Sequence, residues 1–142
     1  MDQLDQSIIM ELTADARIPF STIAKKENVS ESTIRKRVST LEKRGIIRKY
    51  SAILNHAKLG YDNLAFIGVD ADSDKYLEVG KALKQMPQIK SAWSASGDHM
   101  FMVEVLAKDN DDLMAVSDRI RRINGVTRIC PAVVKETLKG EV

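Results

Sequence analysis

One apolar pattern in the second half of the chain occurs twice, and it leaves few folds open. Tyr76, Val79, Leu83 and Met86 stand three or four residues apart, the spacing of a single helix face. Leu113, Val116, Ile120 and Ile123 repeat the same stripe, each 37 positions further on. The flanks repeat too. Leu64 and Phe66 map onto Phe101 and Val103 in strand-like runs, and Ile89 maps onto Val126. Pro87 closes the first helical stretch and Gly125 the second. Two β-α-β units joined by a turn at Gly97-Asp98 predict an α+β, ferredoxin-like βαββαβ domain over residues 61–142. It has a four-stranded antiparallel sheet with two helices on one face.

Helices on one face leave the other bare. In this register the bare face carries Ala65, Ile67, Met100 and Met102 with Glu104. A half-apolar uncovered sheet normally marks an interface, so two such sheets packed face to face in a homodimer are expected. The alternative is a monomer whose N-terminal region covers the sheet.

The first sixty residues have a different period. Leu4, Ile8, Ile9 and Leu12 predict a helix over 3–14, with Asp2 or Asp5 suiting its positive end. Ala16-Arg17-Ile18-Pro19 interrupts it, and Pro19 suits the first turn of a short second helix that turns Ile23 and Ala24 inward. Glu27-Asn28-Val29 reads as a tight turn with Asn28 left-handed. Ser30 caps a third helix, Gly45 stops it, and Ile34, Val38 and Leu41 form its buried stripe. Three helices over 1–45 with this short turn make the helix-turn-helix pattern. Ile46–Leu54 is rich in β-branched residues and reads as a strand, and 55–60 as a hinge, so 46–60 links the two domains.

At 100° per residue, Ser32, Lys36, Ser39 and Lys43 lie opposite the buried stripe, with Thr33 and Arg35 on the shoulders. Short polar side chains interleaved with cations are what a major-groove helix needs. Ser32, Thr33, Arg35 and Lys36, at the start of the helix, are the expected base contacts. Ser21, Thr22, Lys43, Arg48 and Lys49 are candidate phosphate contacts. Arg37 lies at the edge of the stripe, where an intradomain ion pair and a phosphate contact compete. Glu31 suits the helix dipole or could accept from cytosine. Charge agrees: residues 21–50 hold 9 Lys or Arg against 3 Asp or Glu, on a chain whose net charge is only +2.

Other chemistry finds little support. The two histidines, His56 and His99, lie far apart in the chain, and metal-ligand spacings, phosphate loops and nucleophile elbows are missing, so neither an enzyme nor a cofactor is expected. Cys130 is the one cysteine, sits in an apolar run and reads as packing. No internal disulfide can form, and with no apolar stretch of membrane-spanning length and no signal-like start a cytoplasmic location is expected.

The chain resembles the Lrp/AsnC family of prokaryotic regulators. The resemblance is carried by Leu4-Asp5 with Ile8 and Leu12, Ala16-Arg17-Ile18, Ile23-Ala24, the run Val29 to Val38, Leu41-Glu42, Gly45-Ile46-Ile47, Tyr50 to Leu54 and Leu59-Gly60-Tyr61. Gly97-Asp98 and Gly125-Val126 agree in the second half. The resemblance implies a dimer that can assemble to tetramers or octamers, binding to double-stranded DNA at pseudo-palindromic promoter sites, and an amino-acid effector held between subunits at the turn joining the two halves. Ser94, Ser96, Gly97 and Asp98 are the effector candidates. The family's turn usually reads Gly-x-x-Asp. Here it is Gly97-Asp98-His99-Met100, so a methionine replaces the acid. His99 is read as an exposed turn residue and Trp93 as core or interface. A sequence-specific transcription regulator is the expectation, and a non-specific DNA-compacting protein is the alternative.

Overall fold

The computed structural model describes residues 1–140. The chain forms two compact units, Met1–Ala52 and Ile53–Val142.

The first unit holds α1 (Gln3–Ala14), α2 (Phe20–Glu27) and α3 (Glu31–Lys43). Ile8, Leu12, Ile23, Ala24, Ile34, Val38 and Leu41 make its buried core, and Phe20, Val29 and Ile47 pack around it. The helix ends follow from local chemistry. Asp2 and Asp5 form a reciprocal capping box at the start of α1, each carboxylate accepting the other's backbone N–H at 3.0 and 3.1 Å. Pro19 is the residue before α2, not its first turn, and Asn28 ends that helix in the left-handed region at φ 54°. At the end of α3 the Gly45 N–H bonds the Glu42 carbonyl and the Ile46 N–H the Leu41 carbonyl, at 2.9 and 3.0 Å. Gly45, at φ 68°, takes the left-handed position this double bond requires.

The expected strand over Ile46–Leu54 does not form. The chain beyond α3 turns at Ile46-Ile47 and then runs irregularly. A β-branched run needs a neighbouring strand to pair with. Instead the Ile46 and Ile47 N–H groups are taken by the Leu41 carbonyl. Residues 46–51 wall a groove of about 400 Å3 whose other side is Ile9, Leu12 and Thr13 of α1 and Ala16 just beyond it.

The second unit contains β1 (Asn63–Ala71), α4 (Tyr76–Gln85), β2 (Ile89–Ser94), β3 (Phe101–Ala107), α5 (Asn110–Arg121) and β4 (Val126–Val133). The sheet order is β2-β3-β1-β4 with every pair antiparallel, the predicted βαββαβ arrangement. Val79 and Leu83 of α4 and Leu113, Val116 and Ile120 of α5 are buried against it.

The strand half of the repeat is shifted by one. The core-facing residues are Ala65, Ile67, Val69 and Ala71 in β1 and Phe101, Val103, Val105 and Ala107 in β3, related by 36 positions where the helices are related by 37. Counted between core positions, Ala71 to Val79 spans eight residues and Ala107 to Val116 nine, so the second strand-to-helix span is one residue longer, and in a period-two structure that residue exchanges the two faces. Ala65 and Ile67 therefore face the helices and not the bare face, and Met100 packs at the edge of the core. Leu64, Phe66, Gly68 and Asp70 of β1 share the uncovered face with Met102 and Glu104, as the cross-strand pairs Phe66↔Glu104 and Gly68↔Met102 require. Cys130, opposite Gly68, is exposed on that face rather than packed.

Gly68 has a specific reason to be glycine. A Cβ there would overlap the imidazole of His99, which lies directly on the β1 backbone. Gly68→Ala is expected to lower the unfolding free energy by about 1–3 kcal/mol, the usual cost of an overpacked contact. The double variant with His99→Ala should recover most of that loss, read by denaturant unfolding of both.

Candidate nucleic-acid interface and the hairpin

The buried stripe determines how α3 is turned. With Ile34, Val38 and Leu41 inward, Ser32, Arg35, Lys36 and Lys43 are exposed, while Thr33 and Ser39 are half-buried. Ser21 and Thr22, in the first turn of α2, and Arg48 and Lys49, beyond α3, are also exposed. These ten positions all lie in the first unit, eight of them exposed.

Their present partners differ. Ser30 Oγ caps α3 by accepting the Thr33 N–H at 3.2 Å. It also exchanges hydrogen bonds with the hydroxyls of Ser32 and Thr33, at 3.0 and 2.8 Å. The Arg35 guanidinium donates to Glu31 Oε1 at 2.8 Å and lies 5.4 Å from the centre of the Phe20 ring. An ion pair one helical turn long and a cation–π contact together hold it along the helix. Lys36 and Lys43 carry no ion pair among the described residues.

Arg37 resolves to an intradomain role. Its Nη1 donates to Asp2 Oδ2 at 2.6 Å and to Asp5 Oδ1 at 3.1 Å, joining α3 to the capping box of α1. The Asp5 backbone N–H and then Arg37 hold the Asp2 carboxyl below the usual carboxylate range. Tyr50 is a further residue the sequence did not single out. Its hydroxyl donates to Glu42 at 2.8 Å, and burial, then that bond, pushes its pKa up to about 12.

The hairpin between β2 and β3 turns through Gly97, at φ 123°, and the Ala95 N–H bonds the Met100 carbonyl at 2.9 Å. Ser94, Ser96, Gly97 and Asp98 are all exposed along it. His99 is not the exposed turn residue expected from the sequence. Its side chain is 18% exposed, and its Nδ1 lies 3.0 Å from Asp70 Oδ2. The same carboxylate takes the Arg128 Nε–H at 3.1 Å and, through its other oxygen, the Met100 N–H at 3.2 Å. Asp70, from β1, therefore places a carboxylate beside position 100 and binds the hairpin to β1 and β4. No sequence spacing announces it, because the contact spans 30 residues and depends on the register of β1. Trp93, opposite Met102 on the uncovered face, is half exposed.

A three-helix unit with a cation-bearing third helix, followed by a βαββαβ unit, has the build of a helix-turn-helix DNA-binding regulator. An AsnC-type helix-turn-helix domain matches residues 1–42, and an Lrp/AsnC ligand binding domain matches residues 64–141. The chain belongs to the Lrp/AsnC family, and the protein is a DNA-binding transcription regulator. It is 43% identical over 140 residues to the HTH-type transcriptional regulator LrpA of Pyrococcus horikoshii, covering 98% of this chain and 99% of that protein. E. coli AsnC has the same fold at TM-score 0.90 and 26% identity, over 100% of this chain and 97% of that one. A feast or famine regulatory protein from M. tuberculosis, solved complexed with L-methionine, matches at TM-score 0.89 and 26% identity over 98% and 95%. Among the described residues no group of three His, Cys, Asp or Glu is placed to hold a metal, and no helix is long and apolar enough to cross a membrane.

Two expected outcomes follow from this geometry. Ser30→Ala should cost about 1 kcal/mol by removing the cap of α3, measured by thermal unfolding. Burial raises the Asp70 pKa, but the His99 hydrogen bond, the Met100 N–H and the Arg128 charge outweigh it and leave the carboxyl below its ordinary 3.8. A depressed carboxylate contributes stability above its unfolded pKa and loses it as pH falls through the folded one. The stability gap between the native protein and Asp70→Asn should therefore be full at neutral pH and shrink as the solution is acidified below about 3.8.

Proposed function

We propose that the protein binds double-stranded DNA sequence-specifically, as a homodimer or a larger assembly, by laying α3 in the major groove. The single observation that carries this reading is the rotation of α3, which turns Ile34, Val38 and Leu41 into the core and Lys36 and Lys43 into solvent without an acidic partner. Ser32, Thr33, Arg35 and Lys36 read base edges, with Ser39 beside them. Ser21, Thr22, Lys43 and Arg48 hold phosphates and set the register. Two-fold DNA requires two reading heads, and half-sites about 34–36 Å apart suit a dimer. A lone chain leaves Trp93 50% exposed on the bare sheet face, and Ile53 65% and Leu59 58% exposed in the linker. Apolar surface of this kind supports pairing of the sheets between two copies.

The hairpin is the expected seat of an amino-acid effector, through Ser94, Ser96, Gly97 and Asp98. The L-methionine complex of the M. tuberculosis relative favours an amino acid. Asp70 already supplies a carboxylate beside Met100, which offsets the loss of an acid at that position.

Lys36→Ala tests the DNA assignment. Affinity for a selected palindromic site should fall, and the slope of log affinity against log salt should drop by about 1 if Lys36 meets a phosphate. If it meets a base, discrimination at that position should relax by about 1–3 kcal/mol. The dimer, followed by sedimentation, should be unchanged. Equal affinity, salt slope and specificity in the variant would remove α3's outward face from the interface.

A further inference from the structure

At the end of β3 away from the hairpin lies a cleft of about 510 Å3, inside the range of roughly 300–1,000 Å3 usual for small-molecule sites. Phe101, at the hairpin, and Leu106, on the cleft, are five residues apart along the strand, so the two places are about 17 Å distant. Tyr61, where the linker meets the sheet, forms one wall. Pro87 and Gln88 come just before β2 and Lys90 from its start, Leu106 from the end of β3 and Lys108 just beyond it, and Asp112 from the first turn of α5. All belong to the second compact unit.

The lining carries charged and polar groups that are only partly matched. Lys108 has no ion-pair partner among the described residues. Lys90 is steadied by Glu104 Oε1 at 3.0 Å, with His56 Nε2 at 3.5 Å. Asp112 accepts the Lys108 backbone N–H at 3.0 Å, which fixes its carboxylate without neutralising it. The side-chain oxygen of Gln88 is shielded from solvent and lacks any hydrogen-bond partner, the one such side-chain atom among the described residues. A buried acceptor left without a donor is destabilising, and Gln88 is one of the residues lining the cleft. Leu106, Pro87 and the Tyr61 ring add apolar surface.

We propose that this cleft is a second ligand site, separate from the hairpin, for a free amino acid. Lys108 and Lys90 pair with the ligand's carboxylate. Asp112 and the Gln88 amide oxygen take its ammonium, and the apolar wall takes the side chain. The site also touches the linker. The Tyr61 N–H bonds the His56 carbonyl at 3.0 Å and the Asp62 N–H the Lys108 carbonyl at 3.3 Å. A ligand joining Tyr61 to β3 and α5 tightens the segment through which the DNA-binding unit is attached, so occupancy here is a second input to the regulator.

The test is calorimetric titration of the full chain with each of the twenty L-amino acids, with acetate and methylamine as half-ligand controls. At least one amino acid should bind where neither control does. Lys108→Ala and Gln88→Leu should each weaken it about tenfold, the loss of one charged or buried hydrogen bond. Asp98→Ala, at the hairpin, should leave that binding intact. Trypsin cleavage after the exposed Lys58 should slow with ligand in the native chain and not in Lys108→Ala. Both cleft substitutions are read alongside circular dichroism, and Lys108, being exposed, tolerates removal without unfolding the sheet. Binding by no amino acid overturns the proposal. Binding that survives both cleft variants, or that only Asp98→Ala abolishes, overturns it as well and assigns the ligand to the hairpin.

Discussion

Burial of Ile34, Val38 and Leu41 against Ile8, Leu12 and Ile23 sets the rotation of α3 about its axis, and every contact the first unit can offer depends on that angle. Each of these side chains contributes about 1.5–3 kcal/mol by leaving water, far more than any single surface ion pair on the opposite side. The apolar stripe therefore decides the geometry, and the cations follow from it at helical spacing. Arg37 adds a second constraint at the margin of the stripe. By reaching Asp2 and Asp5 it ties α3 to the first turn of α1, so the capping of one helix and the placement of the other are a single structure. The buried Asp5 would be costly without that guanidinium and the backbone N–H it faces.

In the second unit the governing constraint is the two-residue period of the strands. The helical stripes could be read from the sequence because a face of α4 or α5 recurs every 3.6 residues and tolerates a shift of one position at its ends. Strands have no such tolerance. One additional residue between the core positions of β3 and α5 left the helices in register at 37 and the strands at 36, so Ala65 and Ile67 face the core and not the bare face. Nothing local signals that difference, since Leu64, Ala65, Phe66 and Ile67 are all apolar and either alternation reads equally well. Met102 and Glu104 were legible because a buried-side glutamate is the less probable choice.

The helical elements were legible almost to the residue, since their ends carry their own chemistry: Asp2 and Ser30 as caps, Asn28 and Gly45 as left-handed stops. What stayed hidden are features made by distant partners. His99 had no visible reason to leave solvent until Gly68 and Asp70 were brought beneath it by β1. Ile46–Leu54 had the composition of a strand and no strand to pair with, and its composition cannot say whether the missing partner belongs to the same chain. Among the candidate interface residues, the exposure of Lys36 and Lys43 was implicit in the stripe. The engagement of Arg35 by Glu31 was open to inspection as a four-residue spacing, whereas its contact with Phe20 depended on how α2 crosses α3.

That engagement bears on what Arg35 can do. Its pair with Glu31 is solvent-exposed, the two side chains being 66% and 50% accessible. Exposed pairs of this kind contribute roughly 0.2–1 kcal/mol and are screened by salt. A bidentate contact to a guanine edge contributes about 1–3 kcal/mol of discrimination. Under the proposed binding mode exchange of partner is therefore favourable overall, and Glu31 is left at a helix N-terminus, where a negative charge is well placed. The present arrangement also has a use before any DNA arrives. It holds a long, flexible side chain against Glu31 and Phe20, which would reduce the entropy lost were the guanidinium ordered on a base. Lys36, with no partner to give up, keeps its full charge for the first encounter. The two cations differ in their free-state partners more than in their position on the helix, and under the proposed binding mode that difference divides attraction from recognition along a single turn of α3.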